Sequence, residues 1–89
     1  MKSALREYDV VRVVRLTPHP REYTSSEGFG RDPRIGDVGT IVNDYGDGRD
    51  DHAPVCVECS APSGHCVWLA DFERDELEFV ARAPDEKSA

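Results

Sequence analysis

Cys56 and Cys59 stand in a C-x-x-C spacing, with His52, His65 and Cys66 close by. Thiolates and imidazoles are the ligands of a zinc site, which needs four of them in a tetrahedron. A structural zinc site normally draws on two such pairs, each on a tight turn. Here there is one, on an alternating segment that sends its two sulfurs to opposite faces. A redox C-x-x-C needs a helix N-terminus to stabilise the thiolate, and this pair lacks the helix. The expected state of the cysteines is therefore reduced, with Cys59 a small buried apolar residue. A cross-strand Cys59–Cys66 disulfide is the alternative. Asp44, Asp47, Asp50 and Asp51 could gather calcium, but the D-x-[DN]-x-[DN]-G spacing and its distal Glu are missing. They read as a solvated acidic loop. His19, His52 and His65 have no serine or cysteine partner at a recognisable spacing, and no G-x-S-x-G turn is present. Glu73, Asp75, Glu76 and Glu78 read as a solvated face. No catalytic residue, cofactor or metal site is expected, so the chain reads as non-enzymatic.

The elements that would position these residues are short. Tyr8 to Leu16 (YDVVRVVRL) is β-branched and too short for a helix, so it reads as a strand. Residues 17–35 hold three prolines and two glycines and no apolar period, which makes a long loop. Its large apolar side chains, Tyr23 and Phe29, either fold back on the core or face a partner. Gly36 to Asp44 (GDVGTIVND) is a second strand, with Val38, Thr40 and Val42 on one face and Ile41 on the other. Glycine inside it marks a bulge or bend. Ala53 to Ser60 and His65 to Ala70 form a hairpin about a turn at 61–64. With Cys59 opposite Cys66 and Val57 opposite Trp68, the pair collects Val55, Val57, Cys59, Cys66, Trp68 and Ala70 on a core face. Asp71 to Glu76 suits one helical turn capped by Asp71. Leu77 to Val80 is the last strand, and residues 81–89 read as a flexible C-terminal tail.

The class implied is all-β: a small SH3-like barrel of about five antiparallel strands, with one short helical turn before the last. Residues 1–80 form that single domain. With 89 residues there is room for one core and no deep multi-layer active site. The order of the features argues for this barrel over an OB-like one.

The segments YDVVRVVRL, PRIGDVGTIV and WLADFERDELEFV resemble a small bacterial SH3-like family of unknown function. The likeness spans about residues 6–80, and Gly36 to Val42 is its most specific piece. That piece is also similar to the glycine-centred strand of KOW-type modules, and the barrel to predicted toxin-immunity proteins. The resemblance implies a fold and no catalytic residues. The long 17–35 loop and the three cysteines depart from the family's usual pattern.

The net charge of −7 disfavours binding by phosphate neutralisation. The charge is uneven: residues 1–36 carry +2 and residues 37–89 carry −9. An acidic face steers basic partners. No apolar run is long enough for a signal core or a membrane span, so the expected location is the cytoplasm and no membrane partner is implied. The expected function is a non-catalytic acidic protein-binding module, such as an immunity-type inhibitor or an accessory subunit, with a basic protein partner. Its contact residues would be Tyr23, Phe29, Arg31, Asp47, Asp50, Asp51, Asp71 and Asp75. The alternative is a KOW-like RNA- or ribosome-associated module using Arg12, Arg15, Arg21, Arg31 and Arg34.

Overall fold

The computed structural model describes residues 5–18 and 21–82. Among them are five strands: β1 (Val10–Val13), β2 (Val38–Asp44), β3 (Val55–Ser60), β4 (Cys66–Phe72) and β5 (Leu77–Ala81). A 3-10 turn, Arg74–Glu76, precedes β5. All pairings are antiparallel, in the order β4-β3-β2-β1-β5. The first four strands meander, and the chain then returns to lay β5 beside β1. One sheet thus covers one core, giving the all-β fold of five antiparallel strands and a short helical turn before the last that the order of features predicts.

Alternation selects the core. Val11 and Val13 on β1, Ile41 on β2, Val55, Val57 and Cys59 on β3, and Trp68, Ala70 and Phe72 on β4 all turn inward, with Leu77 of β5. Trp68 and Phe72 meet at 5.2 Å between ring centroids, tilted by 48°. Each large side chain buried in this way contributes about 1.5–3 kcal/mol. On β2 the buried residues are Gly39, Ile41 and Asp44, while Val38 is exposed. Ile41 and Asp44 are three apart and share a face because the register slips between Ile41 and Asn43. That bulge turns an acidic side chain inward. Gly39 is needed for close approach. A Cβ there would lie 2.6 Å from the Glu58 carbonyl oxygen and 2.8 Å from Val57 Cγ1.

Several expectations need correction. β1 stops at Val13, not Leu16, because the N–H groups of Val14 and Arg15 donate to the Glu76 carbonyl oxygen instead of to β2. In the β3–β4 hairpin, Cys59 faces Trp68, Val57 faces Ala70 and Val55 faces Phe72. The register is offset by two residues from the one expected, which preserves every face. A second slip pairs Ser60 with Cys66 and takes Cys66 out of the core cluster. Cys59 and Cys66 are therefore not opposed, and all three cysteines are free thiols. Asp71 belongs to β4, and Glu73 is the residue that caps the turn. β5 runs through Ala81, and Arg82 is anchored to Asp9. The remainder of the expected tail, 83–89, lies outside the described residues.

Within the 17–35 segment, residues 21–35 form a strap. Thr24 exchanges both backbone hydrogen bonds with Leu69, at 3.0 and 2.8 Å. Ser26 N–H donates to the Cys66 carbonyl, and Arg31 N–H to that of Val67. Cys66 N–H returns a bond to Ser26 Oγ. The strap thus satisfies polar groups along the outer edge of β4, which an open sheet would leave exposed.

Candidate functional site

The charged side chains divide into two populations. The first holds the fold together. Glu76 is fully buried and accepts from Arg21 Nη2 and from the backbone N–H groups of Thr17 and Glu73. Asp44 accepts from Gly46 N–H, Gly48 N–H and Arg74 Nη2, and so ties the β2–β3 loop to the 3-10 turn. Asp37 takes a two-pronged contact from Arg31, the indole N–H of Trp68 at 2.9 Å and the N–H of Arg34. Asp9 accepts from Arg82 and from Arg6 N–H. Burial pushes the carboxyl groups of Asp37, Asp44 and Glu76 up. The arginines and N–H donors outweigh it and hold all three below their ordinary values.

Among the described residues, ion pairs engage four arginines of the first third of the chain, while Arg6 and Arg34 stay exposed outside them. Arg12 pairs with Glu78, Arg15 with Asp75, Arg21 with Glu76 and Arg31 with Asp37. Four of the five arginines considered for RNA contact thus have a carboxylate partner, two of them on the exposed surface. Glu76 and Asp44, read from sequence as solvated, are buried.

The second population is exposed and acidic. Among the described residues Glu22, Asp47, Asp50, Asp51 and Asp71 form no ion pair. Asp47, Asp50 and Asp51 lie on the β2–β3 loop, whose base Asp44 pairs with Val55. Asp71 sits opposite Cys56, next to the Val55–Phe72 pair at that same end of β3 and β4. Its Oδ1 accepts from the Tyr45 hydroxyl at 2.8 Å. The hydrogen bond to Asp71, with some burial, pushes the Tyr45 phenol up to about 12, so it stays a donor. Burial and the nearby Asp71 charge push the Cys56 thiol up as well.

Between the strap and the sheet runs an open groove of about 320 Å³. Glu22, Tyr23 and Thr24 form its strap side, and Cys56, Leu69, Ala70 and Asp71 its sheet side. Tyr23 packs against the core from here. No family model, curated protein or solved structure matches this chain.

The residues proposed from sequence fall in three places. Tyr23 and Asp71 share the groove. Asp47, Asp50 and Asp51 share the β2–β3 loop beyond it. Phe29, Arg31 and Asp75 have partners of their own: Phe29 stacks on His65 at 3.9 Å and 8°, Arg31 clamps Asp37, and Asp75 pairs with Arg15 at the surface. Of the two strap aromatics, Tyr23 folds back on the core and Phe29 remains exposed on His65. Sequence reading did not single out Glu22, Tyr45 or Leu69. Glu22 neighbours Tyr23 in the sequence, which is its only signal. Cys56 and Cys59 lie on opposite faces of β3. Among the described residues, no group of three or more His, Cys, Asp or Glu could hold a metal ion. His19 lies outside the described residues. Among the described residues no helix is long and apolar enough to cross a membrane.

Proposed function

We propose that this domain is a non-catalytic, acidic protein-binding module that docks a basic protein in the cytoplasm, as an immunity-type inhibitor or accessory subunit would. One observation carries the reading. Arg12, Arg15, Arg21 and Arg31 are paired with carboxylates, whereas Glu22, Asp47, Asp50, Asp51 and Asp71 form no ion pair among the described residues and stand exposed. The exposed charge outside the ion pairs is therefore mostly acidic among the described residues, with Arg6, Arg34 and Arg49 as its bases. Such a field raises encounter rates with a cationic surface and repels phosphate. Exposed charges contribute little each, so the reading demands that several act together.

The test is affinity capture of the tagged protein at low ionic strength, beside an Asp47→Asn/Asp50→Asn/Asp51→Asn/Asp71→Asn variant. The expected result is one stoichiometric basic protein, released by high salt and retained poorly by the variant. An eluate rich in nucleic acid and ribosomal proteins would overturn the reading in favour of the KOW-like alternative.

A further inference from the structure

We propose that the groove between the strap and β4 binds an extended segment of a basic protein. A lysine or arginine side chain lies along Tyr23 and Leu69, with its cation held by Glu22 and Asp71. This deepens the function proposed above and rests on it. The groove has an apolar wall and two acidic residues along its rim. That combination matches a side chain with a hydrocarbon stem and a charged head. About 320 Å³ sits at the lower end of ligand-sized cavities, enough for one long side chain and its adjoining backbone.

Other occupants fit less well. An added β-strand would need the backbone groups of Leu69, but Thr24 already takes both its N–H and its carbonyl. A hard divalent cation wants six or more oxygen ligands, and only two carboxylates line the groove. A phosphate would meet both carboxylates and no arginine. The Tyr45 phenol donates to Asp71 Oδ1 and so fixes the carboxylate before ligand arrives. Preorganisation of this kind lowers the entropic cost of binding. Tyr45 is thus a positioning residue.

The test uses the whole chain and two short probes, acetyl-Gly-Val-Lys-Val-Gly-amide and its glutamine counterpart. Amide shifts are followed by two-dimensional NMR at low ionic strength. The lysine peptide is expected to move the amides of residues 22–24, 56 and 69–71, and the glutamine peptide to leave them in place. Glu22→Gln with Asp71→Asn should weaken binding by about tenfold or more, and Tyr45→Phe should weaken it severalfold. Both acidic residues are exposed, so the spectrum elsewhere should not change. Glu22→Gln alone serves as a second variant.

Shifts confined to the β2–β3 loop, insensitive to Glu22→Gln/Asp71→Asn, would overturn the groove and leave the acidic-module reading standing. Equal shifts from both peptides would overturn recognition by charge. Absence of shifts from either peptide would overturn the groove, with the capture experiment still deciding the broader function.

Discussion

Arg21 Nη2 donates to both carboxylate oxygens of Glu76, at 2.9 and 2.7 Å, while its guanidinium lies 4.2 Å from the Phe72 ring centroid. The strap is thereby tied to the turn before β5 and to the edge of the core at one point. A buried carboxylate is stable only while its partners remain. Glu76 has four such bonds, two from Arg21 and one each from Thr17 and Glu73.

Removing one member should therefore cost more than removing both. Arg21→Met should destabilise the domain by about 3–5 kcal/mol, because Glu76 is left buried without its countercharge. The double variant Arg21→Met/Glu76→Leu should recover a large part of that loss. Urea denaturation of the three proteins measures it. Equal stability of wild type and Arg21→Met would remove the argument.

The depressed carboxyl groups set the pH response. Asp37 and Asp44 lie below an ordinary value of 3.8, and Glu76 below 4.5. The unfolded chain therefore binds more protons than the folded one in the acid range, and stability rises with pH there. The contribution is complete above about pH 5. It is lost as pH falls through the unfolded values and then the lower folded ones. Denaturation midpoints from pH 7 to pH 2 should stay level and then fall. Asp37→Asn should give a shallower fall; an unchanged slope would show that Asp37 does not contribute.

Gly39 should be intolerant of a methyl group. Its would-be Cβ meets a β3 backbone oxygen, which cannot swing aside like the tip of a side chain. Gly39→Ala should cost about 1–3 kcal/mol by overpacking, seen as a lower melting temperature. Gly48 faces open space and carries φ +77°. Gly48→Ala should cost less, through backbone strain alone.

The cysteines should separate by exposure. Cys56 and Cys66 are half-buried, Cys59 is buried, and burial raises all three thiols. Iodoacetamide mapped by mass spectrometry should label Cys56 and Cys66 slowly and Cys59 only after unfolding. Air oxidation of the folded protein should yield no Cys59–Cys66 crosslink, since Trp68 stands opposite Cys59. A crosslink formed under native conditions would contradict the register.

The hydrophobic alternation made most of the fold legible. Valines at 11, 13, 55 and 57 lie inside, as a period of two requires. The hairpin register was not legible to within two residues, because a shift of two leaves every side chain on its original face. Only the slip at Cys59/Ser60, a local backbone event, distinguishes the two. Glu76 was misread for a different reason. Its burial depends on Arg21, 55 positions away, and no local pattern marks that partnership. The candidate site was half visible: Tyr23 and Asp71 were identified, while Glu22 and Tyr45 join them only through strap pairing and the turn of the β2–β3 loop.

The arginine clamps also bear on the order of assembly. Asp44–Arg74, Glu76–Arg21 and Asp9–Arg82 join positions 30, 55 and 73 residues apart. Closing loops of that length is entropically costly until the intervening strands have already met. Clamps that close after the main folding barrier would slow unfolding without speeding folding. In that role they would be latches on a finished fold, lengthening the lifetime of the native state once it has formed.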